Sequence, residues 1–135
     1  GQEPKTIQAV ADFSQEGIDK LTTGFMVFES GARASFTCGM TLETEKDYRI
    51  DRLQIFGTKG KIVSDVAFNQ EGKCDYTICI DGKEITKTVT APQNYALEVE
   101  QLGKCITGEE TPCVTEDFSL KNVRILERIL KQIGY

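Results

Sequence analysis

Polar and apolar positions alternate along the first two-thirds of the chain and recur every three or four residues along the last third. Thr6 to Phe13 is apolar and β-branched enough for a strand, and Ile18 to Phe28 makes a longer one, with Leu21, Met26 and Phe28 as core contacts. Glu29-Ser30-Gly31 turns the chain. The clearest alternation follows: Ala32, Ala34, Phe36, Cys38 and Met40 share one face, while Arg33, Ser35, Thr37, Gly39 and Thr41 share the other. A period of two is a strand with one greasy face, so these segments predict a hairpin. Leu42 to Tyr48 is polar and reads as a loop. Strand character returns at Ile50 to Gly57, turns at Thr58-Lys59-Gly60 and runs back over Lys61 to Phe68. Beyond a loop at Asn69 to Lys73, Cys74 to Ile80 and Lys83 to Thr90 flank Asp81-Gly82, a strong two-residue hairpin signal. Pro92 closes the strand region.

The period then changes. Tyr95, Val99, Leu102 and Ile106 fall on one face of a helix with Asn94 as its N-cap and Gly108 as its stop. After a loop at Glu109 to Val114, Thr115 caps a second helix, with Glu116 and Asp117 at its positive end. Val123, Leu126, Ile129, Leu130 and Ile133 form its apolar stripe; Lys131 and Gly134 suit its C-terminus. Strands followed by helices predict an α+β domain: an open, mainly antiparallel sheet with two C-terminal helices on one face. No helix remains for the other face, which is therefore either polar and wet or an interface.

With 135 residues, one domain spanning 1–135 is expected. The net charge of −5 argues against nucleic-acid binding. No apolar run approaches the roughly 20 residues needed to cross a bilayer. The opening Gly1-Gln2-Glu3-Pro4 carries neither an initiator Met nor a secretory leader, which predicts a cytoplasmic piece of a longer protein. Cys38, Cys74, Cys79, Cys105 and Cys113 are odd in number and hold no C-x-x-C pair, so small buried thiols are expected rather than a disulfide framework.

The count that most narrows the chemistry is that of histidine, which is zero. Ser-His-Asp and Cys-His nucleophile systems and His-bearing zinc sites cannot be built from this chain. Gly57-Thr58-Lys59-Gly60 lacks the Gly-Lys-Ser/Thr ending of a phosphate loop and reads as a hairpin turn. Asp47, Tyr48, Arg49, Asp51 and Arg52 crowd a strand edge. Either these charges pair in solvent, or Tyr48 and Arg49 form a pocket rim that hydrogen-bonds a polar substrate. Tyr95 is either an amphipathic core residue or a hydroxyl pointed into a pocket near a helix N-terminus. Glu98, Glu100, Glu109 and Glu110 have no spacing that suits acid–base work and read as solvated surface.

Three stretches, taken in order, carry a resemblance: VFESGARASFTCGM, DRLQIFGTKGKI and NYALEVEQLGKCITGEETPCVTEDFSLKNVRILERILKQI. Together they resemble the C-terminal domain of the glucose–fructose oxidoreductase / inositol dehydrogenase / MocA-type oxidoreductases. The resemblance implies a two-domain NAD- or NADP-dependent enzyme acting on a sugar, polyol or related compound, with an N-terminal Rossmann domain that is absent from this chain. It implies that the open sheet face makes homo-oligomer contacts. It also implies a substrate-binding role for Leu42 to Arg49, including Tyr48 and Arg49, and for Tyr95. This chain has no Gly-x-Gly-x-x-Gly turn, no Glu-Lys-Pro and no Asp-x-x-x-His. The resemblance therefore supplies no catalytic and no cofactor-binding residue here, and no metal site, and the isolated domain is expected to be catalytically silent. The rival is a stand-alone, cofactor-free binding or assembly module of the same fold.

Overall fold

The computed structural model describes residues 2–40, 51–65 and 71–135. In chain order its elements are β1 (Thr6–Phe13), β2 (Asp19–Val27), β3 (Arg33–Gly39), β4 (Leu53–Gly57), β5 (Gly60–Ser64), β6 (Gly72–Ile80), β7 (Lys83–Ala91), α1 (Asn94–Thr107) and α2 (Glu116–Ile133). The α+β class and the antiparallel pairing are as the pattern predicts. The described strands, however, form two sheets, β1-β2-β3 and β4-β5-β6-β7. They belong to two compact units, Gly1–Tyr48 with Cys113–Tyr135, and Arg49–Pro112. Only α2 lies in the unit of the first sheet; α1 lies in the other. A turn signal specifies which strands pair through that turn, but says nothing about whether one hairpin joins the next.

In the first unit the register places Ile7, Met26 and Ala34 side by side, then Ala9, Gly24 and Phe36, then Ala11, Thr22 and Cys38. These residues share one face, and α2 packs against β1 on it. Ile7, Thr22, Gly24 and Ile129 are buried there. Full burial of an isoleucine is worth about 1.5–3 kcal/mol. The alternation in β3 reads the faces correctly but overstates burial: Phe36 is half-buried, Ala34 and Cys38 are exposed, and Met40 is 81% exposed. A helix about 10 Å wide covers roughly two strands spaced about 4.8 Å apart, and α2 lies along β1, at the far edge from β3. Leu21 lies on the face opposite Ile7, so it is no part of this core.

Phe36 reaches across the sheet. A Cβ built on Gly24 would stand 2.7 Å from the Phe36 ring and 2.7 Å from the Gln8 carbonyl oxygen. The ring thus occupies the space that a side chain on Gly24 would need. At the other end of the sheet the Tyr135 ring packs on Phe13 with centroids 5.6 Å apart. Its hydroxyl accepts from the Asp19 N–H at 3.2 Å and stands 3.2 Å from both the Gly17 carbonyl and Asp19 Oδ1. The chain after α2 is thereby tied to the β1–β2 turn.

The second unit is a meander. Asp81 and Gly82 both take positive φ, 51° and 73°, the conformation that a two-residue hairpin of this type needs. Ile55, Ile62, Ile78 and Ile85 stand in register, forming one row across all four strands. Cys74 is buried and Cys79, five residues on, points to the opposite face. Contrary to the expectation of uniformly buried thiols, Cys38 and Cys113 are exposed; none of the five forms a disulfide. Both helix stops are left-handed glycines as expected, Gly108 and Gly134. Thr115 caps α2 by accepting from the Phe118 N–H at 3.2 Å. The α1 cap is Gln93 rather than Asn94, its Oε1 accepting from the Ala96 N–H at 2.6 Å. The extended residue after Pro92 is Gln93, and the longer amide reaches the N–H that Asn94, already inside the helix, cannot.

Candidate functional site

The polar candidates do not assemble into one described site. Tyr48 and Arg49, with the whole loop Leu42 to Arg49, lie outside the described residues. Tyr95 is the second residue of α1 and is 58% exposed. It opens the stripe continued by Val99, Leu102 and Ile106. That stripe is amphipathic as predicted, but none of its residues is buried. Periodicity selects a face, and only a partner surface can cover it.

Two hollows stand out among the described residues. One, of about 340 Å³, lies at the N-terminus of α2 and is lined by Gln2, Cys113, Thr115, Asp117, Phe118, Lys121, Asn122 and Ile125. Its acid and base are already paired: Lys121 Nζ stands 2.6 Å from Asp117 Oδ2, one helical turn away. The hydrogen bond from Lys121 is the main cause holding the Asp117 carboxyl below its usual range. A carboxylate so held is a poor proton acceptor at neutral pH. The other hollow is a trough on the second sheet, lined by Ile55, Ile62, Ile78, Ile80 and the turn Gly57–Lys61. It is largely apolar, and its two lysines, Lys59 and Lys61, have no acid beside them in its lining.

The Gly-Thr-Lys-Gly segment is the hairpin turn that the sequence suggests. Strand β4 leads into β5 through Thr58 and Lys59, with no helix following. Gly60 is required there because a Cβ would run into the Cys79 carbonyl oxygen of the neighbouring strand. Elsewhere, Lys104 stands 3.1 Å from both Glu100 and Glu110, which raise its pKa and keep it from acting as a nucleophile. Among the described residues no group of three His, Cys, Asp or Glu side chains could hold a metal ion. No described helix is long and apolar enough to cross a membrane. Sequence reasoning did not anticipate the arginines of α2, whose part in the fold depends on residues 121 and 124 positions away.

Comparison with known proteins adds what this geometry leaves open. Residues 1–63 match the family model of the GFO/IDH/MocA C-terminal domain. The chain is 24% identical over 131 residues to D-xylose 1-dehydrogenase (NADP(+)) 2 of Haloferax volcanii, an alignment covering 96% of this chain and 39% of that protein. Its fold is similar to that of a variant of KijD10, a 3-ketoreductase from Actinomadura kijaniata solved with TDP-benzene and NADP. There the TM-score is 0.82 at 13% identity, over 98% of this chain and 40% of the other. UDP-N-acetylglucosamine 3-dehydrogenase GnnA from Acidithiobacillus ferrooxidans gives a TM-score of 0.75 at 16% identity, over 98% and 41%. The chain thus spans about two-fifths of the length of the relatives it matches. Residues 1–63 are thus similar in sequence to the GFO/IDH/MocA C-terminal domain, and the chain shares its fold with these solved structures along nearly its whole length.

Proposed function

We propose that the chain is the substrate-binding and oligomerisation domain of an NAD(P)-dependent oxidoreductase acting on a sugar, polyol or related compound. The observation that carries this reading is the alignment along 96% of the chain with a D-xylose dehydrogenase of which it spans only 39%. In the parent enzyme the cofactor carries the hydride, and this domain contributes pocket walls. Tyr95, at the start of α1, and Tyr48 and Arg49, in the loop after β3, are the residues proposed to hydrogen-bond the substrate. The chain has neither a histidine nor a phosphate-cradling glycine turn, so the dinucleotide site and the histidine that moves the substrate proton are assigned to the rest of the parent enzyme.

Oligomer contacts are proposed for the face of the first sheet that α2 leaves open. That face carries Val10 and Phe25, 72% and 43% exposed, beside the hydrogen-bonded hydroxyls of Thr23 and Thr37. Apolar groups set among satisfied polar ones suit an interface between folded partners.

The test is the coding DNA immediately upstream of the Gln2 codon. The expected finding is an in-frame strand–Gly-x-Gly-x-x-Gly–helix start, then Glu-Lys-Pro and Asp-x-x-x-His. A start codon or an unrelated domain there overturns the reading. In solution, NADPH is expected to give no calorimetric signal with the isolated chain at micromolar concentration. Light scattering is expected to show association. A strict monomer at high concentration removes the oligomerisation part alone.

A further inference from the structure

The segment leading into β1 is held from two sides. Pro4 is fully buried. Its carbonyl oxygen accepts from Arg128 Nη1 at 2.6 Å, and that of Lys5 accepts from Arg128 Nη2 at 3.2 Å. One residue earlier, Glu3 pairs with Arg124 Nη1 at 3.5 Å. On the other side, the Lys5 N–H donates to the Val27 carbonyl at 2.8 Å. Arg124 and Arg128 are four residues apart on α2 and so lie on one face of it, one turn apart.

Two features make Arg128 more than a surface contact. It bonds to main-chain carbonyls of this segment rather than to a carboxylate, so the cation grips the backbone whatever side chains stand there. It also grips two consecutive carbonyls with the two ends of one planar fork, which fixes direction as well as position. Chain segments beside a terminus ordinarily fray unless tied down. Here Glu3, Pro4 and Lys5 are tied individually.

We propose that Arg128 is a positioning residue that straps Glu3–Lys5 to α2, so that any chain attached ahead of residue 2 leaves this unit from one point and in one direction. In the parent enzyme proposed above, that strap sets where the cofactor domain diverges from this one. This consequence rests on that reading; the strap itself does not.

The test is amide hydrogen exchange by NMR on the isolated chain, comparing the wild type with Arg128→Met and Arg128→Lys. Losing a hydrogen bond to a charged group should speed exchange of the Lys5 amide about tenfold or more in Arg128→Met, while the amides of Thr23 and Phe25 change by less than about twofold. Arg128→Lys keeps the charge but loses the fork, and should leave Lys5 faster than wild type. Trypsin should cut after Lys5 sooner in both variants. Unchanged Lys5 exchange in Arg128→Met overturns the proposal, as does a uniform rise across β1 to β3, which would mark general destabilisation. Should Arg128→Met not fold, Arg128→Lys decides: faster exchange at Lys5 with Thr23 and Phe25 unchanged supports the strap, and Lys5 exchange equal to wild type overturns it. None of these outcomes depends on the NADPH or light-scattering results.

Discussion

Replacing Gly24 with alanine tests whether the Phe36 ring and the β1 backbone leave room for a side chain in the middle of β2. A Cβ there would approach the Gln8 carbonyl oxygen and the Phe36 ring at 2.7 Å each. The ring can swing aside, but the carbonyl belongs to the backbone of β1, so the strand itself must move. Overpacking of this kind costs about 1–3 kcal/mol. Against it, removing a glycine restricts the unfolded chain and returns about 0.4–1 kcal/mol, an effect available here because Gly24 does not have the positive φ that alanine resists. At the middle of both ranges overpacking outweighs that gain by about 1.3 kcal/mol, at roughly 4 °C in melting temperature per kcal/mol. Urea denaturation followed by far-UV circular dichroism reads it directly. Adding Phe36→Leu should recover only part of the loss, because it frees the ring's space and not the carbonyl's. Unchanged or increased stability in Gly24→Ala would refute the steric argument, and full recovery in the double variant would assign the clash to the ring alone.

Thr115→Ala should cost about 1 kcal/mol through loss of the α2 cap, and Thr115→Asp should restore most of it; thermal melts distinguish them. Tyr135→Phe keeps the ring on Phe13 and loses the hydroxyl at Asp19 and Gly17, so it should cost about 0.5–1.5 kcal/mol, with chemical-shift changes concentrated at residues 17–19. The Asp117 carboxyl, held below its ordinary value of 3.8 chiefly by Lys121, should stabilise the start of α2 above that value and cease to do so as pH falls through its lowered folded pKa. Carbon-detected NMR titration of that carboxyl should show the midpoint moving up in Lys121→Met; an unmoved midpoint would remove Lys121 as the cause.

The elements legible in the sequence are those governed by neighbours a few residues apart. Asp81-Gly82 announces its hairpin because only a few residues tolerate positive φ, and both take it. Thr115, Gly108 and Gly134 bound their helices through bonds that reach no further than six residues. The alternation in β3 sorts its side chains onto the correct faces. That Gly57–Gly60 is a turn rather than a phosphate loop is likewise a local matter, because no helix pattern follows it.

The tertiary structure decided what those faces meet. Burial of Ile7 and exposure of Met40 follow from α2 lying along β1 and reaching about two strands, a distance that no periodicity encodes. The division into two sheets, the glycine imposed on β2 by a ring from β3, and the arginine fork on Pro4 and Lys5 all join residues distant in sequence. The sequence by itself determined the secondary structure, its antiparallel pairing and, by resemblance, the kind of domain, because these depend on backbone sterics, turn chemistry and short-range spacing. Which apolar positions are covered, and which cation holds the start of the first strand, depended on contacts between segments more than a hundred residues apart, where the physics is that of packing and no local pattern records it.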